Sequence, residues 1–193
     1  MAKAKKPSNP QQAPLSCLPV FDKETGDITI VVETPKGSPN KYDYDPECGA
    51  LRLAAVLGEG LTFPHDFGFI PSTLGEDGDP LDVLVLLDHA VPAGTIATAR
   101  LIGVIEARQR EKKQPWIRND RLLAVATHAH THEQVQDLTD LRPHMLDEVE
   151  SFFGHYNSLK GKEFEVISRK GPKQALRLLK EGMRACEKQR KKK

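Results

Sequence analysis

The first clear pattern along the chain is DITIVVET, Asp27 to Thr34, which alternates, is rich in β-branched residues and predicts a strand. KYDYD and GALRL flank the turn PECG, Pro46 to Gly49, and together predict a hairpin. LDVLVLL, starting at Leu81, is a short continuous apolar run of the kind a fully buried strand shows. TIATARLIGVIEA, Thr95 to Ala107, predicts a longer strand with Gly103 permitting a bend, and RLLAVAT, Arg121 to Thr127, another. Helical spacing emerges only late. Leu146, Val149, Phe153 and Tyr156 share one face, and Leu176, Leu179, Met183 and Cys186 share a second. Pro172, just after Gly171, suits the first turn of that last helix. There is no internal repeat. Many short strands followed by two helices predict an α+β architecture, a small β-barrel with two C-terminal helices packed outside.

Length and charge refine the picture. The 193 residues fit one domain with a sizeable core. Residues 1–14, rich in Pro, Gln and Lys, predict a disordered basic arm; residues 15–183 form the body, and 184–193 a basic C-terminal tail. With +3 on the arm and +5 on the tail, the chain's net +1 leaves −7 on the body. Such a body favours cations. Basic ends and Trp116 raise an OB-type nucleic-acid binder as one alternative, but the acidic body disfavours nucleic acid as a partner. No apolar run approaches the ~20 residues of a membrane helix, so no membrane association is expected. The polar opening MAKAKKPSNPQQAPLS lacks the apolar segment of a secretory signal. Cys17, Cys48 and Cys186 are odd in number and widely spaced, which predicts a reducing, cytoplasmic location.

The chemistry concentrates in GEDGDPLDVLVLLD, Gly75 to Asp88, where Glu76, Asp77, Asp79 and Asp82 crowd against a buried strand. Unit charges ~4 Å apart repel by about 4 kcal/mol at an effective dielectric of 20, so the cluster needs compensation or full solvation. Asp77 and Asp79, two apart, project to one side of an extended chain, and Gly78 and Pro80 let Asp82 converge on them. Such carboxylates suit a hard cation such as Mg²⁺. An EF-hand fails, because Asp82 stands where that loop needs Gly and Leu81 where it needs an oxygen. A solvated Asp/Gly turn is the plain alternative. His128, His130 and His132 alternate in THAHTHE, but no acid or cysteine is arranged nearby, and they read as loop histidines.

The surroundings narrow this. EDGDPLDVLVL carries the D-x-D-P-x-D signature of the soluble (family I) inorganic pyrophosphatases, and the chain resembles a divergent member of that family. FPHDFGFIPSTL, Phe63 to Leu74, resembles its Y-P-x-N-Y-G-Y-I-P block, VVETPKGSPNKYDYDPECGAL its opening strand and hairpin, and SFFGHYNSLKGKEF its late H-Y helix end. The resemblance runs in order from Asp27 to Ile167. It implies a five-stranded, OB-like mixed barrel in a catalytic domain over 15–183. It implies an inorganic diphosphatase in which several divalent ions, Mg²⁺ with Mn²⁺ or Zn²⁺ as substitutes, bind pyrophosphate and activate a water. A homo-oligomer is implied as well. By resemblance Asp77 and Asp82 are metal ligands, with Glu33 a further acidic residue of the metal site. Asp79 orients and deprotonates the attacking water. Lys41, Tyr156 and Arg121, the last in the place of a family lysine, contact the substrate.

The departures matter. The block's tyrosines are Phe63, Phe67 and Phe69 here, Ala55 stands in the place of a phosphate-binding arginine, and Asn157 in the place of a lysine. Arg52 is three residues from Ala55, but a strand points it elsewhere. Asp43 replaces a Glu. The family's third acidic segment becomes EARQREKKQPWIRNDRLLAV, whose ungapped match to the metal-binding aspartate is Asn119. A one-residue shift makes Asp120 the expected third ligand, with Glu106 or Glu111 as further carboxylates. The cations Arg108, Arg110, Lys112, Lys113 and Arg118 of that segment are expected to replace the lost phosphate contacts. A pyrophosphatase-like phosphate- or metal-binding scaffold with impaired catalysis is the other alternative.

Overall fold

A computed structural model describes residues 14–192. Residues 1–13, nearly all of the expected N-terminal arm, and Lys193 lie outside the described residues. The chain folds around a mixed sheet closed on itself. Strand β1 (Ile28–Thr34) pairs antiparallel with β4 (Asp66–Ile70), which pairs antiparallel with β5 (Leu81–Leu86). β5 runs parallel to β8 (Arg121–Ala126), and β8 pairs antiparallel with the long β6 (Ile96–Glu111). β6 returns to β1, with Ile28 opposite Ala99, and the ring of five strands is complete. Closure removes the free edges of an open sheet and makes one enclosed core. Every residue of β1 is buried, as its ITIVVET sequence requires of a strand covered on both faces.

Two glycines make the closure possible. A Cβ on Gly68 in β4 would stand 1.9 Å from the carbonyl oxygen of Val31, so only a residue without a side chain lets β1 and β4 approach there. At Gly103 the register of β6 against β8 slips, and the strand bends from β1 toward its outer partners. A Cβ at Gly103 would lie 2.3 Å from Leu138.

Beyond Gly103, β6 leaves the ring and pairs with β9 (Lys162–Lys170) and the short β7 (Ile117–Arg118). The helices are α1 (Met145–Leu159) and α2 (Pro172–Arg190), separated by β9, which helical periodicity did not reveal. α1 drives Val149, Phe152, Phe153 and Tyr156 into the core, where Phe153 lies 5.8 Å from Phe67 and Phe152 5.0 Å from Phe63. The hairpin of β2 (Asn40–Asp45) and β3 (Ala50–Val56) stands as a separate ribbon, as predicted around PECG.

One boundary is corrected. The predicted tail at 184–193 is, through Arg190, the last part of α2, with Cys186 buried. Its Lys188 and Arg190 lie in the helix's final turn, where cations complement the negative end of the helix dipole. Arg190 also donates to the hydroxyl of Ser72 at 3.1 Å. No described helix is long and apolar enough to cross a membrane.

Candidate active site

The end of β1, the hairpin strand β2, the β4–β5 loop, the first residues of β5 and β8, and α1 line a single cleft of about 760 Å³. Glu33, Lys41, Asp77, Asp79, Asp82, Arg121 and Tyr156 all reach it. Glu33 is the sixth residue of a wholly buried strand, and its Oε1 accepts the Tyr44 backbone N–H at 2.6 Å. Lys41 and Asp43, two apart on β2, project to the same side and form an ion pair. The acidic loop is folded by its own backbone. The Gly75 N–H donates to the Asp79 carbonyl at 2.7 Å, Gly78 takes a φ of +93°, and the Asp79 N–H donates to Asp77 Oδ1 at 3.3 Å. Asp82 is the second residue of β5, opposite Phe69 in register.

Electrostatics mark these acids. Burial pushes Glu33 up to about 8, against the opposing pull of the Tyr44 N–H and of Lys41. Burial first, then the charge of Asp82, raises Asp77 to about 6. Asp82 is raised by burial, which outweighs Arg121 and Lys41. Burial alone would lower Lys41, but the charge of Asp43 and its hydrogen bond carry it above the usual ammonium value. Closely placed carboxylates whose negative forms are unfavourable are a common signature of a cation site.

Arg121 departs from expectation. Its side chain is 5% exposed, and its Nη1 donates to Asp82 Oδ2 at 2.5 Å and to Asn119 Oδ1. The guanidinium carbon lies 4.7 Å over the Phe153 ring and 5.9 Å from those of Phe67 and Phe164. Phe67, which stands where the resemblance expects a tyrosine, thus joins Phe153 and Phe164 as the floor for a cation. Arg121 is a wall of the cleft that fastens Asp82 and Asn119.

Asp120 requires correction. It turns away from the cleft, accepting the Ala107 N–H at 2.9 Å and ion-pairing with Arg118 at 2.9 Å. It faces a second, smaller pocket between the acidic loop and α2, while Asn119 takes the inward position. Asn119, a neutral amide, thus lines the cleft where a third carboxylate was expected. Glu106 is consumed by Arg118, Ser168 and Gln174; Glu111 does line the cleft.

Three of the insertion's five cations are likewise committed. Arg108 pairs with Glu165 and Arg110 with Glu163, and their guanidinium carbons lie 4.6 and 4.4 Å from the Trp116 ring on which both stack. Arg118 holds Asp120 and Glu106. Only Arg110 of the five reaches the cleft, and Trp116 is not free to stack on a base. Arg52 pairs with Asp45 on the exposed ribbon, outside the cleft. Asn157 is buried, donating to the Phe153 carbonyl at 2.8 Å. Sequence reasoning missed Lys160 and Lys162, which line the cleft from the end of α1 and the start of β9. The signal for Lys160 was its place four residues after Tyr156 on a helix.

No three acidic, His or Cys side chains among the described residues close around one point. The donor set is all oxygen, with carboxylates from β1, the β4–β5 loop and β5 and an open cleft beside them. That fits a hard dication held by a few carboxylates and completed by water and substrate phosphate, and it does not fit a closed His/Cys site.

Comparison with known proteins agrees with this geometry. The family model described as "Inorganic pyrophosphatase" matches residues 30–187. The inorganic pyrophosphatase of Thermus thermophilus is 37% identical over 177 residues, 90% of this chain and 96% of that one. The soluble inorganic pyrophosphatase of Oryza sativa subsp. indica is 35% identical over 82% of this chain and 74% of its own. Among solved structures, the Thermus thermophilus inorganic pyrophosphatase superposes with a TM-score of 0.82 at 35% identity, covering 91% of this chain and 99% of that one. The Helicobacter pylori enzyme gives 0.77 at 35% identity, covering 83% and 94%.

Proposed function

Since the chain belongs to the inorganic pyrophosphatase family, we propose that it hydrolyses pyrophosphate to two phosphates in this cleft, with a divalent metal as cofactor. The observation that carries the reading is the meeting of Asp77, Asp79 and Asp82 with Lys41 and Tyr156 around one open space. Mg²⁺ is the proposed ion, with Mn²⁺ or Zn²⁺ as substitutes, and Asp77, Asp82 and Glu33 are the residues proposed to hold it. A bound dication offsets the charge of the pyrophosphate anion and makes water more acidic. Asp79 accepts the proton of the water that attacks phosphorus, while the bridging P–O bond breaks and the second phosphate leaves. Lys41 contacts a phosphate as a compact positive charge, and the Tyr156 hydroxyl donates to one. Arg121 is a positioning residue, holding Asp82 and Asn119 in place. A cytoplasmic location is part of this reading, supported by the free, exposed Cys17 and Cys48. So is a homo-oligomer, supported by the exposed Leu53 and Val56 on β3, which among the described residues pairs only with β2.

Phosphate release from pyrophosphate, with and without Mg²⁺, tests the reading beside Asp79→Asn. Metal-dependent release that the substitution abolishes is the expected result. Absence of release with Mg²⁺, Mn²⁺ and Zn²⁺ alike would leave a phosphate-binding scaffold in its place.

A further inference from the structure

The cleft is lined by five cationic side chains, and four of them already have a carboxylate partner. Lys41 is held by Asp43, Arg110 by Glu163 at 2.6 Å, Arg121 by Asp82 at 2.5 Å, and Lys162 faces Glu111 at 3.8 Å. Among the described residues Lys160 has none. Its ammonium instead donates to the Tyr156 hydroxyl at 3.0 Å and lies 5.0 Å from the centre of that ring.

This arrangement aims donors at an anion. A hydroxyl that accepts from an ammonium keeps its own O–H to donate, and the ammonium retains two more N–H groups. The framework beneath is packed and capped. The Tyr156 ring is buried and stacks on Phe152 at 10° and 5.9 Å. Lys160 ends α1, its N–H capping the carbonyl of Asn157 at 3.0 Å, and Gly161 turns the chain away at a φ of +71°.

We propose that Lys160 and Tyr156 together form the anion subsite for one phosphoryl group of pyrophosphate, with Lys160 a substrate-binding residue. This rests on the proposed function and assigns the role expected of the insertion's cations to a lysine at the end of α1. An uncompensated ammonium attracts a phosphate more strongly than one already neutralised by an acid, because no existing ion pair must be broken.

The test compares the full-length wild type with Lys160→Gln, Lys160→Arg and Lys112→Gln, the last an exposed lysine outside the cleft. Two quantities are read with Mg²⁺ present: KM for pyrophosphate, and the calorimetric affinity for methylene bisphosphonate, which is not hydrolysed. Lys160→Gln should raise KM and weaken analogue binding about tenfold or more, flatten the salt dependence of binding, and change kcat far less. Lys160→Arg should recover most of the loss, and Lys112→Gln should match wild type. Analogue affinity of Lys160→Gln within about twofold of wild type would overturn the assignment, as would an equal loss in Lys112→Gln. If the wild type binds the analogue but releases no phosphate, the hydrolase reading fails while Lys160 is still judged by binding. If it does neither, both fall.

Discussion

Replacing Arg121 with Met removes a charge from the wall of the cleft while keeping an apolar side chain of similar reach. The Arg121 side chain is 5% exposed and that of Asp82 23%. Breaking one partner of such a pair leaves the other carboxylate without its nearest cation, which costs about 3–5 kcal/mol. The lost contact with the Phe153 face, 4.7 Å away, accounts for up to about 2 kcal/mol within that range. For a chain of this size each kcal/mol lowers Tm by about 2–4 °C, so Arg121→Met should melt about 6–20 °C below wild type. Urea denaturation in EDTA gives the free energy directly. The same substitution in an Asp82→Asn background should cost at least about 1.5 kcal/mol less, because the stranded charge is then absent. A loss under about 1 kcal/mol, or an equal loss in both backgrounds, would show that Arg121 does not hold Asp82 and would refute the reasoning.

Other consequences are as direct. Glu33, raised from 4.5 to about 8, holds its proton in the folded state when the unfolded chain has released it, so metal-free stability should fall as pH rises through that window. The fall is at most about 5 kcal/mol, and Glu33→Gln should remove it, making the variant the more stable protein at pH 8 in urea titrations. Asp120→Asn breaks the Arg118 pair and should lower Tm while leaving Mg²⁺ affinity by calorimetry unchanged; Asp77→Asn should weaken Mg²⁺ binding about tenfold or more. Gly154→Ala fills open space inside α1 and should gain about 0.5–1 kcal/mol, whereas Gly68→Ala, driven into the Val31 carbonyl, should yield little folded protein by circular dichroism.

How much of this was legible in the chain depended on the range of the forces involved. The acidic loop was readable because Gly78 and Pro80 dictate local geometry, and the β-branched runs because burial on both faces leaves a continuous apolar signature. The orientation of Asn119 and Asp120 was not readable. It is fixed by the Ala107 N–H, which reaches across 13 residues to Asp120, and by the Arg118–Glu106 pair. The end of α2 was hidden for another reason. Lys, Arg, Glu and Gln are good helix formers, but a stretch with six cations among its ten residues resembles a solvated tail, although Cys186 continues the apolar face. In the same helix Leu176 is 38% exposed, and the buried stripe runs through Ala175, Leu179, Gly182 and Cys186. Small residues let α2 lie close to the barrel, and a Cβ at Gly182 would stand 2.7 Å from Leu81. An apolar-period search passes over such positions.

Trp116 is the chain's only tryptophan, and it is stacked by two arginines, one of which lines the cleft. The protein therefore carries its own optical probe. An anion that enters the cleft and draws Arg110 from the indole should change the electric field across that ring, so its arrival is expected to register as a shift in ultraviolet emission, without a dye, in the unmodified chain.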